Sequence, residues 1–373
     1  MFERFDLSEL QGRAFKHPRR MTSRGVTFRG LLFFTYVALY GLSSVGAELP
    51  EEVTFQVYVA FDNVLHTEFS KPYDALKYAV VFFNADNLIF REMTNPRIQF
   101  EVVMFHDQNV PFTSEALAVE INEVNATASL PKAAAYTSTL THFKLSDIIF
   151  IMSGRKVFSK GNYRNDYLPQ GLTWEKGICN SSKRVVIVSD IGKRFEALPN
   201  AGFQLARLLG APTNCTPHYY QLSGNYQLFK LTDCHKNAIR NNLRKLDKEN
   251  HQETQQCFAK SYKTSLSSLI KDLPSSLVSA EQICEADKGD AWSQYYDKFV
   301  CVEDHFFVTP TNARHERILR SQTGGCLFRC CYNFNFLFNI DFDVPTYYSL
   351  DGSRCDIKGG ICAVGQCITD YKP

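Results

Sequence analysis

The chain holds twelve cysteines, and the first of them is Cys179. A high, even count is the pattern of a disulfide framework built in an oxidising compartment, because cytosolic thiols are kept reduced. Their placement constrains the fold further. Cys179, Cys215, Cys234 and Cys257 are widely spaced, whereas Cys284, Cys301, Cys326, Cys330, Cys331, Cys355, Cys362 and Cys367 crowd the C-terminal end. A short segment with eight cysteines relies on covalent staples, and the longer part before it has enough chain for a core of its own. The four spaced cysteines allow three pairings, of which Cys179–Cys257 with Cys215–Cys234 is the one expected. The eight allow 105, so their connectivity stays open.

The N-terminal region fits an export signal. Arg19, Arg20, Arg24 and Arg29 precede an uncharged apolar stretch, 30–47, that ends in the small residues Val45, Gly46 and Ala47. That order of a basic flank, an apolar run and a small-residue site marks residues 1–47 as a signal peptide, with Met21 as an alternative start. The apolar run is short for a bilayer span, so no stable membrane span is expected after cleavage and the protein is expected outside the cell. The full chain has 41 basic and 39 acidic side chains. Removing 1–47, with seven basic and three acidic residues, leaves 34 and 36. Neither balance has the basic footprint of a nucleic-acid binder. Asn125, Asn180 and Asn214 each begin an N-x-Ser/Thr triplet and are candidate glycan acceptors on the surface.

Apolar periodicity places strands at 53–61, 98–105, 147–152 and 184–189. It places helices at 73–93, 114–130, 133–143, 200–209 and 234–248. Alternation of strand and helix implies an α/β layer architecture. The serines and Pro274 of 265–280 read as a linker, dividing a domain at 48–264 from a cysteine-rich domain at 281–373.

Several segments, in order, resemble one family. They are 78–106 (YAVVFFNADNLIFREMTNPRIQFEVVMFH), 147–154 (DIIFIMSG), Gly177-Ile178-Cys179, 325–331 (GCLFRCC), 350–355 (LDGSRC) and 360–367 (GICAVGQC). Together they resemble the reprolysin (adamalysin) zinc metalloproteases, especially the secreted salivary branch found in ticks. The resemblance implies a metzincin-like three-layer domain with a mixed sheet, followed by a small disulfide-rich domain of loops and β-structure. It also implies the zinc motif H-E-x-x-H-x-x-G-x-x-H, in which two histidines one helical turn apart and a third beyond a glycine turn bind the metal, and the glutamate is the general base.

The segment similar to that motif begins at Phe203, and its chemistry is gone. The ligand positions hold Phe203, Arg207 and Thr213, and the base position holds Gln204. Phe203 has no lone pair, Arg207 is a cation, and an amide takes no proton at useful pH. Gly210 keeps the turn, and Leu222 stands at the methionine-turn position. Losing one second-shell partner alone costs about 10–100-fold in affinity or activity, and here every ligand and the base are replaced. No two of the nine histidines are four apart, and His315-Glu316 is followed at the second-ligand position by Leu319. No zinc or other cofactor is therefore expected, and the metalloendopeptidase activity implied by the family is not.

The function expected instead is that of a secreted pseudoprotease that binds an extracellular protein or peptide, as a modulator of host haemostasis or matrix if the salivary resemblance carries that far. The alternative is an active zinc endopeptidase with displaced ligands. An edge strand beside the motif could take an extended peptide, with Arg207 offering a charge. Lys236, Arg240 and Arg244 on one helix are candidates for weak contact with an anionic surface. Phe334, Phe336, Phe338, Phe342, Tyr347 and Tyr348 are candidate aromatic anchors in the tail.

Overall fold

The runs 147–152 and 184–189 lack polar alternation, which marks strands covered on both faces. In the computed structural model they lie in the middle of a sheet. The structure describes residues 49–106, 117–120, 123–139, 141, 143, 146–158, 171–191, 193–215, 220–221, 227–249, 257–258, 266–286, 298–300, 326–332, 346–355, 359–369 and 371. Residues 1–47, Leu222 and the aromatics Phe334, Phe336, Phe338 and Phe342 lie outside the described residues.

The chain begins with β1 (Glu52–Phe61), α1 (Asn63–Thr67), α2 (Pro72–Phe90) and β2 (Arg97–His106). Then follow β3 (Val119–Glu120), β4 (Glu123–Asn125), α3 (Ala126–Thr139), β5 (Ile148–Ser153), β6 (Lys156–Phe158), β7 (Gly171–Thr173) and β8 (Val185–Ser189). Next come α4 (Leu198–Leu208), β9 (Tyr220–Gln221), β10 (Gln227–Leu228) and α5 (Asp233–Glu249). The main sheet has the order β2-β1-β5-β8-β7. Its first four strands are parallel, and β7 is an antiparallel edge.

Alternate residues of the central strands feed two cores. Val57, Val59, Ile148, Phe150, Val186 and Val188 face one that includes Phe83 of α2 and Leu205 of α4. Tyr58, Ala60, Ile149, Ile151, Val185 and Ile187 face the other, with Leu130 and Ala133 of α3. Helices thus cover both faces, the α/β arrangement that strand–helix alternation implies.

The helices read at 114–130 and 133–143 require correction. Residues 119–120 and 123–125 form β3 and β4, which join β6 in a separate three-stranded sheet. The two helical stretches are one helix, α3, with Pro131 inside it. Asn125 starts that helix, its Oδ1 accepting the Ala128 N–H at 3.2 Å. The alanines at 133–135 then continue it past the proline.

Beyond α5, the segment read as a linker is packed. The Ser267 hydroxyl accepts the Val102 N–H of β2 at 3.0 Å. Asn84 of α2 donates to the carbonyls of Ile270 (3.0 Å) and Asp272 (2.9 Å). Leu273 and Val278 sit in the same core as α2, as do Ile283 of α6 (Ala280–Ala286) and Tyr347, Ala363 and Val364. The described tail comprises the antiparallel strands β11 (Lys298–Val300), β12 (Leu327–Tyr332) and β13 (Thr346–Tyr348) and a hairpin of β14 (Ile361–Ala363) and β15 (Gln366–Ile368). The hairpin turns through Val364 (φ 49°) and Gly365 (φ 69°), the double left-handed geometry that matches strand twist. Disulfides join Cys179 to Cys257, Cys215 to Cys234, Cys326 to Cys362 and Cys355 to Cys367.

Candidate functional site

Helix α4 carries three of the positions that the resemblance assigns to the zinc motif, Phe203, Gln204 and Arg207. It starts without a side-chain cap on Ala197. Instead the Ala197 N–H donates to the buried Asp190 carboxylate at 3.3 Å. The helix crosses α2 closely: a Cβ on Gly202 would come within 2.8 Å of Ile89 Cδ1 and 2.9 Å of Phe229 Cδ1. Its end is a Schellman motif, with Ala211 N–H bonded to the Ala206 carbonyl and Gly210 N–H to that of Arg207, both at 2.9 Å. Gly210 has φ +121°, and a Cβ there would lie 2.5 Å from Asn242 Cβ. Asn242 is fixed by donating to the Leu209 carbonyl at 2.9 Å. Gly210→Ala is therefore expected to cost about 2 kcal/mol or more, from an unsuitable backbone conformation and a clash that no flexible group can relieve. Urea unfolding measures it.

The motif side chains divide between core, edge strand and surface. Phe203 is 8% exposed and packs edge-on against Phe229 at 5.9 Å. Gln204 is buried, and its Nε2 donates to the Gly171 carbonyl of β7 at 3.1 Å. The same side chain's Oε1 has no hydrogen-bond partner among the described residues. Arg207 is half-buried, and its Nε is also without a hydrogen-bond partner among the described residues. Burial lowers its affinity for the proton, and the negative charge of Glu175 opposes that. Thr213 and Asn214 are exposed on the turn after Gly210.

The turn 174–179 holds this end of α4 against the sheet. Lys176 N–H donates to the Arg207 carbonyl at 3.0 Å and Ile178 N–H to that of Leu208 at 3.2 Å. Lys176 and Cys179 have φ values of 59° and 60°, and Gly177 lies so close to the chain that a Cβ would be 2.3 Å from the Lys183 carbonyl. Arg207 thus lies within electrostatic reach of Glu175, whose carboxylate is 3.5 Å from the Lys176 ammonium. Among the described residues, no strand pairs with the other edge of β7.

These residues do not fit zinc. Phe203, Arg207 and Thr213 offer no imidazole, thiolate or carboxylate. Among the described residues the one group of three ligand-type side chains in reach of each other is Cys326, Cys355 and Cys362. Their sulfurs are spent in the disulfides Cys326–Cys362 and Cys355–Cys367.

The other candidate residues are placed as follows. Asn125 is 2% exposed and begins α3, so the surface position expected of a glycan acceptor is corrected: the pairing of β4 with β6 draws it inside. Asn180 is half-buried and accepts from the Ser182 N–H and hydroxyl at 3.0 and 2.8 Å. Lys236 pairs with Glu92 at 2.8 Å and Arg240 donates to the Thr94 carbonyl at 2.8 Å, so both pin α5 to the end of α2, while Arg244 is exposed. Tyr347 and Tyr348 are core residues, 2% and 7% exposed. Sequence reading missed β7 and the link to it from Gln204. A three-residue strand has no periodicity to detect.

No family model matches the chain, and no curated protein matches it. A solved structure of a chaperone–substrate complex contains a similar chain, at 14% identity and a TM-score of 0.33, over 54% of this chain and 36% of that one. The match thus spans about a third of that chain's length. A likeness this slight carries no argument about fold or function. Among the described residues no helix is long and apolar enough to cross a membrane.

Proposed function

We propose that this chain is a secreted homologue of the reprolysin-type metalloproteases that has lost zinc chemistry and acts by binding an extended segment of an extracellular protein along the outer edge of β7. One observation carries the reading: Gln204, at the general-base position, ties α4 to the edge strand through the Gly171 carbonyl at 3.1 Å, with the Arg207 Nε, one helical turn away, left without a partner among the described residues. A strand edge supplies backbone hydrogen bonds to an added peptide, and Arg207 adds a charge-assisted donor for a peptide carboxylate. The mixed sheet with an antiparallel edge beside this helix also suits the resemblance. So do the disulfides, which belong to oxidising compartments.

Two measurements test it. The purified protein should contain far less than one zinc per chain by mass spectrometry and show no chelator-sensitive peptidase activity. Stoichiometric zinc with such activity would establish the displaced-ligand enzyme instead. Peptides enriched from a phage-displayed random library should bind the protein and lose about ten-fold in affinity on Arg207→Glu. Unchanged binding by that variant removes the β7–Arg207 groove from the proposal.

A further inference from the structure

Away from the zinc-motif helix, a cavity of about 330 Å³ opens between Phe69, Asp74, Lys77 and Tyr78, the loop residues Lys193 and Arg194, and Leu277, Val278 and Gln282. Phe69 follows β1 in the chain and Lys193 and Arg194 follow β8, and the cavity's volume is at the small end of the range for ligand sites.

Its walls are held in place. The Tyr78 hydroxyl donates to Asp190 Oδ2 at 2.7 Å and accepts from the Phe195 N–H at 2.8 Å. The rings of Tyr78 and Phe195 stack at 4.2 Å. Lys193 and Phe195 have φ values of 56° and 62°, conformations that non-glycine residues adopt only where the surroundings enforce them and that gather at functional sites.

The lining is amphipathic, and its polar groups are not equally engaged. Lys77 is paired with Asp272 at 2.7 Å and Arg194 with Glu196 at 3.3 Å. Lys193 has no carboxylate partner among the described residues: its ammonium donates to the Glu68 carbonyl and lies 5.2 Å from the centre of the Phe69 ring. Gln282 Oε1 accepts the Ser279 N–H at 2.8 Å, which fixes the amide and leaves its NH₂ group to donate elsewhere. Phe69, Tyr78, Leu277 and Val278 supply the apolar surface. The one acidic lining residue, Asp74, is exposed, where its charge is screened.

We propose that this cavity binds a small aromatic carboxylate, its ring between Phe69, Tyr78, Leu277 and Val278 and its carboxylate taken by the Lys193 ammonium and the Gln282 amide. This site is independent of the β7 groove and stands whether or not that groove binds peptide.

Isothermal titration calorimetry of the purified protein with 1-naphthoate and its neutral analogue 1-naphthalenemethanol tests the assignment. One saturable site is expected, with naphthoate bound about ten-fold or more the tighter. Lys193→Gln should erase that preference and leave the alcohol unchanged. Gln282→Glu, at an exposed position, should weaken naphthoate alone and serves as the second variant if Lys193→Gln does not fold. Val278→Trp, which fills the cavity, should block both probes. Equal affinities for the two probes, no saturable naphthoate binding, or a preference that survives both Lys193→Gln and Gln282→Glu would overturn the proposal.

Discussion

Asp86→Asn is expected to raise stability at pH 8 and to leave it nearly unchanged at pH 4. Asp86 lies on α2 with 0% exposure, and among the described residues neither carboxylate oxygen has a hydrogen-bond partner. Burial, and then the charge of Asp351, push its pKa well above the usual carboxylate range. Two more carboxyls behave alike. Asp351 is raised to about 7, chiefly by burial, against the Val364 N–H and the charge of Arg91. Asp190 is raised to about 6 by burial, against the Tyr78 hydroxyl and the Ala197 N–H.

The sign of the effect follows from where the protons sit. Unfolded, all three carboxyls titrate near about pH 4. Folded, they hold their protons to higher pH, so the native state binds more protons between the two values and stability falls as pH rises. The decline should start near pH 4 and run through about pH 7, the range set by Asp190 and Asp351. Asparagine keeps the shape of Asp86 and removes its ionisation, so the gap between variant and parent should widen as pH rises. Urea midpoints at pH 4, 6 and 8 read both effects. A flat profile for the parent, or a gap that does not grow with pH, contradicts the assignment. The consequence is structural, because Asp86 belongs to α2 and Asp351 to the tail packed against it.

Removing the Cys179–Cys257 disulfide by paired serine substitutions is expected to cost about 4.5 kcal/mol by loop-closure entropy, a large share of a typical domain's stability. The bond spans 78 residues, against 12 for Cys355–Cys367, whose loss should cost about 3 kcal/mol on the same basis. The longer bond also anchors the turn 174–179, whose N–H groups hold the last carbonyls of α4. Its removal should therefore speed hydrogen exchange at Lys176 and Ile178 and weaken any binding that depends on Arg207. Denaturant unfolding and amide exchange measure the two effects. A greater cost for removing Cys355–Cys367 would reverse the expected order.

Much of the framework was legible because it depends on local pattern. The apolar runs at 147–152 and 184–189 correspond to β5 and β8, and the spacing of Ala75, Ala79 and Phe83 belongs to α2. The failures have a shared cause. Ser265, Ser267, Ser268, Pro274 and Ser275 read as linker composition, yet Ser267 is buried against β2. The 119–125 segment has helix-compatible residues, yet Val124 and Asn125 are drawn inward by pairing with β6. A partner strand more than thirty residues away leaves no mark on local periodicity.

The candidate site divides the same way. That Phe203, Arg207 and Thr213 carry no zinc donor, and that Gln204 is no base, is a property of the side chains themselves. The turn at Gly210 is likewise legible, since glycine suits the backbone there. Only the tertiary structure joined Gln204 to β7, left the Arg207 Nε without a partner among the described residues, buried Asp86 within electrostatic reach of Asp351 and formed a cavity beside Lys193. Donor chemistry travels with the residue, whereas burial, pairing and proton affinity are set by neighbours that the fold brings from elsewhere in the chain.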